Sequence, residues 1–310
     1  MNVLSLFDGM SCGQIALNRV GINYINYFSS EIDEYAIKVT QKNYPQTIQL
    51  GDINHIKFNE LPKIDLLIAG SPCQGFSFAG KQLNFNDDRS KLFFNFVDAL
   101  NILKPKHFLL ENVKMKRDYQ NIISSYLGVE PIEINSNLVS AQNRKRLYWT
   151  NIENIEQPQN QHIYLDMILE DDVDEIYYLS EEEIEKNNLN KFLLHEVKNV
   201  VFTERRTEEA KKIRREYRKK YNRDFSPRRA KELVPRTDNK CNCLTTSLTK
   251  EHILFDETLT FRRLTPIECE RLQNVDDNYT LCNGVSTTQR YKMLGNGWTV
   301  NVITHIFKNI

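Results

Sequence analysis

The chain has 310 residues, 40% of them hydrophobic and 26% charged, and its 41 Lys and Arg balance 41 Asp and Glu. This is the composition of an ordinary globular protein with room for one large domain and a smaller one, and it excludes a globally basic chain. Positive charge is local instead: residues 204–236 hold 14 Lys/Arg against 6 Asp/Glu, whereas 170–175 and 181–185 are acidic.

Val3 to Phe7 is an apolar run that predicts a first strand, followed by a turn at Asp8 to Cys12 and a helix over Gly13 to Val20. Asn23 to Ser29 predicts a second strand leading to Glu31, and Glu34 to Asn43 a helix stopped by Pro45. Thr47 to Leu50 reads as a third strand closing on Gly51-Asp52-Ile53, and Ile64 to Ala69 as a fourth, apolar enough for a buried parallel position. After a polar loop, Phe76 to Arg89, come a helix at Leu92 to Leu103 and a fifth strand at Phe108 to Leu110, which runs into Glu111-Asn112-Val113. The alternation predicts an α/β fold with a doubly wound, mostly parallel sheet whose strand ends line one crevice. Beyond Trp149 the rhythm breaks into an acidic stretch, a highly charged helix at Glu208 to Tyr221 and a polar segment to Lys240, which suits a smaller, separately packed domain. A short helix with Thr265 as N-cap and Pro266 in its first turn follows, and an apolar helix from Trp298 to Phe307 closes the chain.

No basic leader precedes Val3, and nowhere do about 18 apolar residues follow one another, which predicts a cytoplasmic protein with no membrane partner. The six cysteines show no disulfide framework. Cys241-Asn242-Cys243 lacks the further ligands of a zinc site, so no metal is expected.

The loop Gly70 to Ser77, directly after the fourth strand, lies where open α/β sheets bind ligands. On it Cys73 follows a proline that fixes the backbone, and taken alone it reads equally as a nucleophile or as a half-buried filler. The turn Phe7 to Gly13 offers backbone N–H groups and a helix N-terminus to a ligand, but lacks the Gly-x-Gly-x-x-Gly pattern of a pyrophosphate loop. Glu31 is placed to accept both hydroxyls of a ribose, and Asp52 to accept from an adenine amino group; the alternative for each is a helix cap. A nucleoside with a positively charged extension fits this set, and S-adenosyl-L-methionine is one.

In chain order, Asp8-Gly9-Met10-Ser11-Cys12-Gly13, Gly70-Ser71-Pro72-Cys73-Gln74, Glu111-Asn112-Val113, Gln142-Asn143-Arg144-Lys145-Arg146, Arg263-Leu264-Thr265-Pro266-Ile267-Glu268-Cys269 and Gly295-Asn296-Gly297-Trp298-Thr299-Val300 carry a family likeness. Together they resemble the DNA (cytosine-5) methyltransferases, and look most like the bacterial and phage members near the animal de novo enzymes. Residues 186–259 go unmatched apart from Leu244-Thr245-Thr246, and that is where the family keeps its target-recognition region.

The resemblance implies the fold of S-adenosylmethionine-dependent methyltransferases, and methyl transfer from S-adenosyl-L-methionine to carbon 5 of a cytosine flipped out of a specific duplex sequence. Cys73 would add to carbon 6, Glu111 would grip the ring N3 and exocyclic amine, and Arg144 and Arg146 would face the target ring and favour the thiolate. Phe7, Asp8, Gly9, Met10, Ser11, Cys12, Gly13, Glu31, Ile32, Asp52, Ile53, Gly70, Pro72, Asn296, Gly297 and Trp298 would bind the cofactor. Gln74, Ser77 and Gln82 would meet DNA near the flipped base, and Arg89 would lie near the DNA backbone. Arg228, Arg229 and Arg236 are candidates for base edges, with Thr245 near the DNA backbone. The implied division is a catalytic cofactor-binding domain over 1–185 and 285–310 and a target-recognition domain over 186–284. It would act as a monomer on double-stranded DNA, and a cognate restriction endonuclease is a partner the resemblance allows.

Three rivals differ in checkable ways. Methylation of transfer RNA goes with a Cys-Phe-Thr at the start of the recognition region, which this sequence lacks. A catalytically dead DNA-binding regulator should have lost Cys73, Glu111 or the arginine pair, and a nicotinamide oxidoreductase is opposed by the missing glycine fingerprint.

Overall fold

The computed structural model describes residues 1–70, 88–193, 198–223, 225 and 231–310, the side chains of 88–91 excepted. Among these residues one sheet is built from β1 (Asn2–Leu6), β2 (Asn26–Ser30), β3 (Ile48–Gln49), β4 (Leu66–Gly70), β5 (His107–Val113), β6 (Ile132–Asn135) and β7 (Lys145–Thr150). Their order is β3-β2-β1-β4-β5-β7-β6. The first five strands are parallel, and β7 runs antiparallel to both β5 and β6. The chain winds outward from β1 to β3 and then returns to lay β4 on the other side of β1. The carboxyl ends of β1 and β4 therefore form the switch point at which such sheets bind ligands.

Alternation along the central strands sorts their side chains onto two faces. Val3, Ile68 and Leu109 share a core with Ile15 and Ala16 of α1 (Cys12–Val20) and with Val302, Ile303 and Ile306 of α9 (Val300–Phe307). Leu4, Leu67 and Leu110 share the opposite one with Phe93 and Phe96 of α3 (Asp88–Leu103) and Ile123 of α4 (Arg117–Leu127). Two boundaries differ from the pattern-based ones in ways that bear on the site. β1 stops at Leu6 because Phe7 already turns, with φ of 58°. The described part of α3 includes Asp88 and Arg89, so their backbone is helical and not in the expected polar loop.

A second, antiparallel sheet has the order β11-β10-β8-β9, from β8 (Val200–Arg206), β9 (Lys231–Pro235), β10 (Ile253–Phe255) and β11 (Phe261–Arg263). Its own core is rich in phenylalanine, with the Phe192 and Phe202 rings 4.6 Å apart. α6 (Glu208–Tyr221) starts at Thr207, whose hydroxyl accepts from the Ala210 N–H. Leu264, the Cys269 and Leu272 of α7 (Pro266–Leu272), and Val285 join the core on the α1 face of the large sheet. Among the described residues no helix is long and apolar enough to cross a membrane.

Candidate active site

The turn after β1 is strained: Phe7 and Ser11 take left-handed φ angles of 58° and 64°, uncommon for residues with side chains. Asp8 holds it together, its half-buried carboxylate accepting from the Tyr27 hydroxyl at 2.8 Å and the Ser29 hydroxyl at 3.0 Å. Burial raises the Asp8 pKa above the ordinary carboxylate value, against the opposing pull of hydroxyls from Ser5, Ser11, Tyr27 and Ser29. Glu31 closes the turn from the end of β2. Its Oε2 accepts from the Gly9 N–H at 2.7 Å, and its Oε1 from the N–H groups of Ile32 and Asp33 at 2.8 Å each. Beside it Ile32 is 75% exposed, an apolar face available to a flat ring. Asp52 caps the short turn Ile53–His55 by accepting from the Asn54 N–H at 2.9 Å, while Ile53 is buried. The side chains of Met10, Ser11 and Cys12 are buried, those of Met10 and Cys12 in the core on the α1 face of the sheet. Burial pushes the Cys12 thiol up to about 12.

Gly70 ends β4 beneath the buried indole of Trp298: a Cβ on Gly70 would come within 2.8 Å of Trp298 Nε1. Asn296, at the end of α8 (Thr287–Asn296), is exposed at the same edge. The carbonyls around it are gathered from two sides. Arg144 Nη2 donates to Gly295 O at 3.1 Å and Gly297 O at 3.0 Å. Gln273 Nε2 donates to Leu294 O at 2.6 Å and to Gly297 O at 3.1 Å.

Gly70 pairs with Glu111 across β4 and β5, which sets this carboxylate beside the strand end that leads into Pro72-Cys73. Glu111 Oε1 lies 3.0 Å from Arg146 Nε, both side chains nearly buried. Burial works against the charge of Arg146, yet Glu111 and then Cys243 outweigh it and hold the guanidinium pKa above its ordinary value. Arg144 precedes β7, and its guanidinium is taken up by the protein. Nη1 donates to Leu244 O at 3.0 Å and to Cys243 Sγ at 3.3 Å, in addition to the two glycine carbonyls on Nη2. Burial first, and then the charge of Arg146, lower the Arg144 pKa. The two arginines thus converge on one sulfur but face different partners.

Pro72, Cys73, Gln74, Ser77, Gln82, Arg228 and Arg229 lie outside the described residues, and Arg89 is described only as backbone of α3. Arg236 donates from Nε and Nη2 to the Asp238 carboxylate at 2.9 and 2.5 Å, and from Nη1 to Asn242 Oδ1 at 2.7 Å. Thr245 is exposed, its hydroxyl donating to Ser247 O at 2.7 Å. Along β8 and α6, Arg205, Arg206, Lys211, Arg214, Arg215 and Arg218 line an open groove together with Glu204 and Glu208.

Sequence reasoning gave no role to three residues that organise this site. Gln142 donates to Leu272 O at 3.0 Å and Gln273 Oε1 at 3.1 Å, and accepts from the Leu244 N–H at 2.8 Å. Its place at the head of Gln-x-Arg-x-Arg was the one available signal. Gln273 and Cys243 had none, since Cys243 meets Arg144 across 99 residues of chain and was weighed only as half of a poor metal motif.

Comparison with known proteins follows the same pattern. The family described as C-5 cytosine-specific DNA methylase matches residues 1–310. The orphan methyltransferase M.SPRI of Bacillus phage SPR is 27% identical, over 100% of this chain and 97% of its own length. The type II methyltransferase M1.ScrFI of Lactococcus lactis subsp. cremoris is 29% identical, over 97% of this chain and 75% of its own. Among solved structures the Entamoeba histolytica methyltransferase EhMeth superposes with a TM-score of 0.72 at 20% identity, over 100% of this chain and 97% of that one, a likeness of fold.

Proposed function

The chain belongs to the C-5 cytosine-specific DNA methylase family and is a DNA cytosine-5 methyltransferase; we propose that it takes the methyl group from S-adenosyl-L-methionine and acts on a cytosine flipped out of a specific duplex sequence. One observation carries this reading. The nearly buried Glu111–Arg146 pair stands at the end of β5, in register with the strand end that leads into Pro72-Cys73.

The residues around the β1 turn fit S-adenosyl-L-methionine, which supplies the methyl group. A carboxylate has about four acceptor sites, so Glu31 keeps room for a ribose hydroxyl beside the three N–H groups it accepts. Ile32 offers its exposed face to the adenine, Asp52 accepts from the base amine, and Trp298 over Gly70 closes the far wall with Asn296 at its rim. The backbone of Phe7 to Gly13 faces the same crevice in this reading, with Ile53 and Gly297 beside it and Pro72 assigned to the cofactor by the family motif.

The Cys73 thiolate bonds to carbon 6, and the displaced electron pair makes carbon 5 nucleophilic enough to accept the methyl group. Glu111 shares a proton with N3 as charge builds on the ring, while Arg146 holds the carboxyl group in place. Loss of the carbon 5 proton to water then expels the Cys73 sulfur, restores the double bond and returns the N3 proton. Flipping costs roughly a few kcal/mol of lost stacking, which Gln82 or Ser77 offsets by filling the gap, with Gln74 and Arg89 on the flanking strand.

Residues 186–284 form the target-recognition region in this scheme, in which the groove beside α6 takes phosphates and Arg228, Arg229 and Arg236 meet base edges. Thr245 lies near the DNA backbone, and the chain acts as a monomer. Bisulfite sequencing of DNA from cells expressing the protein tests the proposal. A protected cytosine in a recurrent sequence context, lost in Cys73→Ser, is expected; no protected cytosine, or methyl incorporation into transfer RNA in preference to duplex DNA, would overturn it. The same map supplies the sequence at which a cognate restriction endonuclease would cut.

A further inference from the structure

Cys243 is half-buried, and its backbone is pinned on both sides. Its carbonyl meets His252 Nε2 at 3.2 Å, and the next N–H, of Leu244, donates to Gln142 Oε1 at 2.8 Å. The sulfur is thereby fixed between two guanidiniums, with Arg144 Nη1 at 3.3 Å and Arg146 Nη2 at 3.6 Å. Cys12, Cys241 and Cys269 belong to the hydrophobic core of the large sheet and Cys282 packs against it, whereas Cys243 joins none of the cores among the described residues. Its surroundings are therefore polar on the side that faces the proposed active site.

Arg146 touches three anchors: Glu111 through Nε at 3.0 Å, the Lys145 carbonyl through Nη1 at 2.9 Å, and Cys243 through Nη2. The Lys145 carbonyl is the arginine's own chain neighbour and moves with it. A planar guanidinium with one outside anchor can still swing about that contact; a second, non-collinear one fixes its plane. We infer that Cys243 is a positioning residue for methyl transfer, whose sulfur sets the plane of the Arg146 guanidinium and, through it, the orientation of the Glu111 carboxyl group. This rests on the roles proposed above for Glu111 and Arg146. The sulfur also ties the two arginines together, so the clamp that Arg144 makes on Gly295 and Gly297 and the pair at Glu111 share one fixed point.

The test uses the full chain, tritiated S-adenosyl-L-methionine and duplex DNA carrying the sequence found by bisulfite mapping. It compares wild type, Cys243→Ala, Cys243→Ser, Arg146→Ala and the Cys243→Ala/Arg146→Ala double variant. Cys243→Ala is expected to lower kcat roughly ten-fold, the effect of misplacing one hydrogen-bonded group, with KM for S-adenosyl-L-methionine and the thermal midpoint little changed. Cys243→Ser, which keeps an acceptor, should recover most of the loss. In the Arg146→Ala background Cys243→Ala should cost nothing further, because its effect passes through the arginine. Wild-type kcat in Cys243→Ala, losses that simply add in the double variant, or a fall in thermal midpoint with kcat unchanged would each overturn the inference. A wild-type chain inactive on duplex DNA would instead sink the underlying functional reading, and this inference with it.

Discussion

The indole Nε1 of Trp298 stands 2.8 Å from the position that a β-carbon on Gly70 would take. The two residues meet because α9 packs on α1, beside the strand that Gly70 ends. An alanine at Gly70 must push the indole aside, and overpacking of this kind costs about 1–3 kcal/mol. The displacement falls on the wall assigned to the cofactor. Gly70→Ala is expected to weaken S-adenosyl-L-methionine binding at least roughly ten-fold, the equivalent of 1.4 kcal/mol, in calorimetric titration. Unchanged affinity would remove Trp298 from the binding wall.

The Glu111–Arg146 pair and the Arg144 clamp should fail in different ways. Arg146→Ala leaves a nearly buried carboxylate without its partner, and Glu111→Gln removes the group that shares a proton with the base. Each should cut single-turnover methyl transfer by roughly 10²–10⁴-fold, the usual worth of positioned acid–base groups. Arg144→Ala instead takes a donor from the carbonyls of Leu244, Gly295 and Gly297, of which Gly297 O keeps Gln273 Nε2, and each buried acceptor left unsatisfied costs about 1–3 kcal/mol. Urea unfolding should show its main effect as lost stability. An Arg144→Ala protein as stable as wild type but inactive would place this arginine with the chemistry.

Much of the large sheet was legible because apolar runs and capped helices announce themselves locally. Glu34–Asn43 falls on the expected residues, with Asp33 accepting from the Tyr35 and Ala36 N–H groups, and so does Glu208–Tyr221 behind Thr207. The small sheet was not legible. β8 is apolar over Val200 to Phe202 and charged by Arg205, so it shows no clean alternation, and its burial exists only once β9 and β10 flank it. At the site, residue order drew attention to Glu111 and Arg146. The clamp by Arg144 escaped because its acceptors are backbone carbonyls 100 to 153 residues away, which no side-chain pattern encodes.

Asp8 makes the turn after β1 sensitive to pH. Its folded-state pKa is raised above the unfolded carboxylate value, chiefly by burial. Between the two values the folded state binds more protons than the unfolded one, so this group's contribution to stability falls as pH rises through that window and stays unfavourable above it. Asp8→Asn removes the charge while keeping an acceptor oxygen. Relative to wild type it should gain stability as pH rises from about 4, the ordinary carboxylate range, and the gain should level off above the window. Urea unfolding of both proteins across this range provides the check, and a difference that does not vary with pH would contradict the titration of Asp8.

Lys211, Arg215 and Arg218 follow one another at helical spacing on α6, and with Arg205 of β8 they line the groove. Acids in the first turn of this helix and bases in the last suit its dipole, which accounts for the order of charges but not for their excess. Phosphate contacts give affinity without sequence information, and each one neutralised steepens the fall of log K with log salt by about 0.9. If each arginine meets one phosphate, the Arg215→Ala/Arg218→Ala variant should bind duplex DNA more weakly, with a salt slope shallower by about two units. Fluorescence anisotropy on specific and unrelated duplexes from roughly 50 to 200 mM salt measures both quantities. Equal weakening on the two duplexes is expected. A loss confined to the specific duplex would show that the groove reads bases, and an unchanged slope would move the DNA to another face of the domain.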